Sequence, residues 1–328
     1  MEEKVYKNIN ELISIQQDRG LNIINDEKTR KIITFSNYYG IFNRYKDPFL
    51  DSNSKEEKYI SDSDFDEIYE LYKFDQRIKS IFFEYILMIE NNVKSIIANE
   101  FSKEYGHKNY LLIDNFNNTI SLNQHITLEF KKAQILDLIS KIHQEISNKL
   151  INNNQMINHY IINHGYVPLW VLVNILSFGT ISKFYYLMKD RDKNNVSKYY
   201  NIKPDQFESV LKILTEFRNA CAHSERIYSF RVLNKSNKPK YIPDFDLHFN
   251  LGIPKDVSGN YVCGKNDLFS IVIVFKYFLT NDYFIKFFNS LIEECDNFEK
   301  HLKSINISKI YKIMGFPHNW KDIKDIEC

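Results

Sequence analysis

The chain has 328 residues, 44% hydrophobic and 26% charged, with 43 Lys and Arg against 42 Asp and Glu. That balance excludes intrinsic disorder and a globally basic nucleic-acid glue, while leaving room for a local groove in which a few cations hold phosphates. Only 9 Gly and 7 Pro disfavour the many tight turns of a sandwich or barrel and point to an all-α fold.

Val5, Ile9, Leu12, Ile13 and Ile15 set a first helix over residues 3–17, stopped near Gly20. A second is predicted over residues 26–45, containing Ile32, Ile33, Phe35, Tyr38, Tyr39 and Phe42 and closing near Asp47-Pro48. Residues 50–62 read as a polar loop. Capping side chains between Ser61 and Asp66 start the next helix at Phe65. From Phe74 through Ile78, Phe82, Ile89 and Val93 to Phe101, apolar residues then recur at three and four, up to Gly106.

Residues 109–123 read as an irregular connection and 128–150 as a helix. After a polar break comes His159 to His164, and residues 169–188, apolar on several sides, predict one central helix. Pro204 opens the helix whose stripe of Phe207, Val210, Leu211, Ile213, Leu214 and Phe217 runs into Arg218. Periodicity disappears over residues 230–264, which read as one long loop with room for a short hairpin. Helices over 266–279 and 282–303 close the chain. No repeat or linker divides it, so a single domain over 1–328 is the expectation.

The cysteines, Cys221, Cys263, Cys295 and Cys328, are far apart with no C-x-x-C pair. Neither a zinc site nor a disulfide framework is expected. The N-terminus lacks an apolar signal core and no stretch approaches a membrane span, so the expectation is a cytoplasmic protein with no membrane partner.

The unusual segment runs from Phe217 to Arg226, where an apolar helix ends in Arg218, Asn219, His223, Glu225 and Arg226. The planar guanidinium matches phosphate oxygens, and imidazole exchanges protons near neutral pH. Together they suit cleavage of an RNA phosphodiester, with the 2′-hydroxyl as nucleophile and no metal or cofactor required. A helix-end histidine on the dipole, or an arginine paired with Glu216 or Glu225, accounts for the same residues without catalysis. On one straight helix, side chains five apart diverge by about 140°. Either the helix ends or bends near Ala222, or two copies of the segment meet.

Arg218-Asn219 followed by His223 resembles the R-x4-6-H signature of HEPN ribonucleases. The wider string Phe217-Arg218-Asn219-Ala220-Cys221-Ala222-His223 resembles the Abi-like (abortive infection) proteins of the AbiD/AbiF group. Four ordered landmarks agree with it: Asn37-Tyr38-Tyr39; Leu71 to Arg77 as a helix start, with Glu90 further along; Pro168-Leu169-Trp170 with Ser177 to Ser182; and Gly315-Phe316-Pro317 before Trp320. The resemblance implies a HEPN-type helical bundle with added terminal helices. It also implies a homodimer with facing motifs and metal-independent endoribonuclease activity leaving a 2′,3′-cyclic phosphate in phage defence or toxin–antitoxin systems. Carried over, His223 transfers protons, Arg218 binds phosphate and Asn219 orients them. Partners would be substrate RNA, a regulatory noncoding RNA and an RNA or protein antitoxin. Many relatives have a second histidine where this chain has Ser224, and an R-L-W-N segment where it has Arg226-Ile227-Tyr228-Ser229. Rival readings are a catalytically silent RNA-binding protein and a dimeric interaction scaffold.

Arg226, Lys235, Lys238 and Lys240 are candidate RNA contacts, the lysines equally explained as a solvated loop. Trp170, Phe178, Tyr38 and Tyr39 are expected in the core. The Ser177-Phe178-Gly179 element is expected to allow close helix packing rather than to hold phosphate. Asp75 and Arg77 read as structural, with Asp75 near a helix dipole.

Overall fold

A computed structural model describes residues 5–118, 127–223 and 225–327. The first residues of the first expected helix, 119–123 of the irregular connection, Ser224 and Cys328 lie outside that set. The described residues form fourteen α-helices and five short 3-10 turns, with isolated β-bridges and no strand. The fold is all-α, as composition implied.

Helix α1 (Ile9–Asp18) leads to α2 (Asp26–Ser36) and α3 (Tyr38–Tyr45). The last two were expected as one helix. Asn37 divides them by taking φ 62° and capping the new helix through Tyr39 N–H at 3.0 Å. The turn leaves Phe35 82% and Tyr39 65% exposed, so neither is core, while Tyr38 is half-buried against Gln16.

Helix α4 (Phe65–Tyr105) spans 41 residues, so the helix that starts at Phe65 and the stripe read from Phe74 are one continuous element. Asp64 and Glu67 form its capping box, and Glu67 also accepts N–H bonds from Lys303 (2.7 Å) and Ser304 (2.9 Å). Ile68, Leu71, Phe74, Ile78, Phe82, Ile86, Ile89 and Val93 are all fully buried on it. Each such side chain contributes about 1.5–3 kcal/mol of burial, which is why this helix is the axis of the molecule.

Thr127 caps α5 (Leu128–Ile151), and α6 (Gln155–His164) follows. The single helix expected over 169–188 is two: α7 (Leu169–Leu172) and α8 (Phe178–Leu187), the latter capped by Ser177 through Thr180 N–H at 3.1 Å. That break turns Trp170 outward to 52% exposure, against expectation, while Phe178 is buried. A short α9 (Asp190–Ser197) precedes α10 (Pro204–Ala222). Around α4 pack α3, α7, α9 and α10, with α8 bridging α10 to α5.

The segment 230–264 carries two bridged turns, Leu233 to Pro239 and Lys255 to Tyr261, and between them α11 (Asp246–Asn250). Its buried His248 accepts the Phe245 N–H at Nδ1 (3.1 Å) and donates from Nε2 to the Gly264 carbonyl (2.9 Å), which fits a neutral ring. Burial pushes the imidazole below its ordinary 6.5. The unfolded chain therefore binds a proton more readily than the folded one. Stability from His248 is present above about pH 6.5 and is lost as pH falls toward the lower folded value. The expected result is a melting temperature that drops on acidification through about pH 6.5, with a shallower slope in His248→Gln. Identical slopes would remove His248 as the cause. Asp267 acts in the opposite sense, since burial raises its carboxyl from 3.8 to about 6 and its contribution is lost as pH rises through that window. The difference between wild type and His248→Gln separates the two effects. Helices α12 (Leu268–Phe278), α13 (Asn281–Glu299) and α14 (Ile307–Met314) complete the fold, with α13 on α4.

Candidate functional site

Helix α10 runs unbroken through Arg218, and His223 is its C-cap, with His223 N–H on the Asn219 carbonyl at 2.9 Å. The helix thus ends at Ala222, where the sequence placed an end or bend as one of its two alternatives. Arg218 turns toward α4 and His223 faces solvent. Within one chain Arg218, Asn219 and His223 are not joined by side-chain hydrogen bonds among the described residues. At 100° per residue, Asn219 and His223 share one side of α10, about 40° apart.

Arg218 is held by neither Glu216 nor Glu225. Its Nε donates to Glu90 Oε2 at 3.3 Å, while Lys94 Nζ takes Oε1 at 2.7 Å. The Glu90 side chain is 4% exposed and that of Arg218 30%. The guanidinium carbon lies 5.9 Å from the Phe83 ring centroid. This bracket orients the fork and leaves its outer nitrogens without a partner among the described residues. An oriented cation with uncommitted donors is suited to a phosphate oxygen. Glu90 entered the sequence reading only as a landmark, although a glutamate inside an apolar stripe, four residues before Lys94, was the available signal.

Asp75, in the eleventh position of α4 rather than at a helix start, fixes the chain beyond the motif. Its Oδ1 accepts Ile227 N–H (2.9 Å) and Tyr228 N–H (2.8 Å), and Oδ2 accepts the Tyr45 hydroxyl (2.8 Å). Lys79 Nζ stands 3.8 Å away. Burial pushes this carboxyl up, opposed by the Tyr228 N–H and Lys79. Burial likewise pushes the Cys221 thiol up to about 12, so the motif's cysteine stays protonated and is no nucleophile.

Arg226 donates to the Arg44 carbonyl and lies 3.4 Å from Asp47, tying the same segment to α3. Lys235 and Lys238 are exposed in the first bridged turn, and Lys240 pairs with Glu216 at 3.5 Å. Arg77, which read as structural, pairs with Glu294 of α13 at 2.5 Å. Among the described residues, no group of three or more His, Cys, Asp or Glu is placed to hold a metal ion. No helix of those residues is long and apolar enough to cross a membrane.

No curated protein and no solved structure matches this chain. A family model described as Abi-like protein matches residues 31–229. The span takes in Asn37 to Tyr39, Asp75, Glu90, Pro168 to Ser182 and the Arg218 to His223 segment, but not Gly315 to Trp320. It covers more than half of the sequence, and on that ground the chain belongs to the Abi-like protein family.

Proposed function

We propose that this Abi-like protein is a HEPN endoribonuclease of abortive infection that cuts RNA without a metal, through Arg218, Asn219 and His223 at a homodimer interface. The observation that carries the reading is the state of the two reactive groups. The His223 side chain is exposed with no hydrogen-bond partner among the described residues, and Arg218 is braced by Glu90 with its outer nitrogens uncommitted.

In this reading one His223 takes the proton of a 2′-hydroxyl, whose oxygen bonds to the adjacent phosphorus as the bond to the 5′-oxygen breaks. A second copy's His223 protonates that leaving oxygen, and Arg218 stabilises the charge on the phosphorane. The products are a 2′,3′-cyclic phosphate and a 5′-hydroxyl. Two copies answer the divergence of Arg218 and His223 on α10, since one copy's arginine can then face the other's histidine. The partners of this reading are substrate RNA and an antitoxin, RNA or protein.

The test is cleavage of end-labelled RNA in excess EDTA. His223→Ala is expected to lose about 10²–10⁴ in rate with an unchanged melting curve, because the side chain is exposed. Equal cutting by that variant would sink the proposal.

A further inference from the structure

Helix α8 presents Gly179, Ser182, Lys183 and Tyr186, one helical face by spacing, to an open groove of about 310 Å³ that Gln134 of α5 and Lys212 of α10 also line. A second cavity of about 170 Å³ adjoins it across Gln134 and Tyr186 and adds Lys131 and Lys193. Gly179 is not demanded by helix packing, contrary to expectation. A Cβ there would meet Thr215 Cγ2 at an ordinary 3.6 Å.

Three ammonium groups surround one ring. Lys183, Lys193 and Lys212 lie 5.1, 5.4 and 5.5 Å from the Tyr186 centroid. Glu208 serves Lys212 at 2.6 Å and Lys193 at 4.0 Å, with Asp190 also 4.0 Å from Lys193. Lys183 has no carboxylate within 4.0 Å among the described residues. Burial pushes Lys183 and Lys193 below the usual lysine range, opposed by Asp137 at Lys183 and by Glu208 and Asp190 at Lys193, while the neighbouring Lys212 pushes both down. Cations crowded and partly desolvated in this manner are relieved by an anion. Gln134 adds a different demand. Its Oε1 is enclosed and accepts no hydrogen bond, so a turn of this side chain toward a ligand hydroxyl in the groove would satisfy it.

The groove is also aligned with the motif. Lys212, Asn219 and His223 are all exposed, and their spacing of seven and four places them within about 40° on one side of α10. At 1.5 Å per residue, Lys212 and His223 are roughly 16 Å apart along the axis. The geometry points to a second contact for single-stranded RNA, in which the α5–α8–α10 groove holds the sugar-phosphate backbone of the strand whose other part lies at His223. The lysines take phosphate, Tyr186 lines the wall, and the ribose hydroxyl that DNA lacks reaches Gln134. This rests on the RNA-cutting reading for the strand's destination, not for its binding.

The test uses the full chain carrying His223→Ala, so that cutting does not intervene, and measures anisotropy of a fluorescein-labelled single-stranded RNA over a salt series. Lys183→Gln with Lys212→Gln is expected to bind several-fold more weakly and to lower the slope of log affinity against log salt by about 1.4, or about 0.7 per phosphate contact. Lys183→Arg with Lys212→Arg should keep the slope, which separates charge from folding. Single-stranded DNA of the same sequence should bind more weakly than RNA. An unchanged slope in the glutamine double variant overturns the proposal. So does Lys183-dependent binding of AMP without binding of the strand, which would make the groove a mononucleotide pocket. Lysine-dependent RNA binding by a wild-type chain that cuts nothing supports the groove and removes only the catalytic reading.

Discussion

Replacing Asp75 with alanine is expected to cost about 3–5 kcal/mol, the range for breaking a buried charged network. The carboxylate is fully buried and is the acceptor for the Ile227 and Tyr228 N–H groups and the Tyr45 hydroxyl. Removing it strands three donors, at about 1–3 kcal/mol for each one that water does not reach, and leaves Lys79, 3.8 Å away, without its counter-charge. Local consequences should follow as well. Ile227 and Tyr228 hold the chain four and five residues beyond His223, so the variant should lose protection of their amides in hydrogen exchange before the core of α4 does. Asp75→Asn keeps an acceptor for the two backbone donors and should lose less than half as much in urea denaturation. If alanine and asparagine are equally harmful, the charge rather than the hydrogen bonds is what matters. If both are harmless, the proposed anchoring is wrong.

Asp75 also shows how the sequence and the structure divide the information. The apolar stripe of α4 was plain in the spacing of Phe74, Ile78, Phe82, Ile89 and Val93, because a helix buried along one side must repeat at three and four. Breaks made without proline or glycine were not legible. Asn37 ends α2 through a positive φ, and Ser177 restarts the helix by capping it, both inside runs whose composition reads as continuous helix. The motif from Arg218 to His223 could be read as a string, but its partners could not. Glu90 lies 128 residues from Arg218 along the chain, and no local pattern pairs them.

The same limit explains Arg226, which read as an RNA contact and is found on the Arg44 carbonyl and Asp47. It also explains the lysine groove, whose cations come from α8, α9 and α10. Charges scattered singly along a sequence look like solvated surface until the fold gathers them.

The closing landmark Gly315-Phe316-Pro317 with Trp320 has a physical reason that its pattern did not disclose, and it sets the second large effect. Gly315 ends α14 at φ 81°, and a Cβ there would fall 2.2 Å from Asp267 Oδ2. Asp267 cannot readily move aside. It caps α12 through Ser270 N–H (3.0 Å) and accepts Gly264 N–H (2.9 Å) while almost wholly buried. On the other side Phe316 packs on Trp320 at 4.9 Å between ring centroids, and Trp320 is buried against Phe288 and Tyr311. Gly315→Ala must therefore meet two costs. The left-handed backbone costs about 1–2 kcal/mol for any residue with a Cβ, and the overlap with a fixed carboxylate adds about 1–3 kcal/mol through displaced packing. Gly252→Ala is the matched control, since Gly252 has φ 62° but nothing within 4 Å of the added carbon. It should show the backbone cost alone. Equilibrium urea denaturation of both variants is expected to place Gly315→Ala well below Gly252→Ala in midpoint. Equal midpoints would mean that Asp267 yields freely and that the glycine serves backbone conformation only.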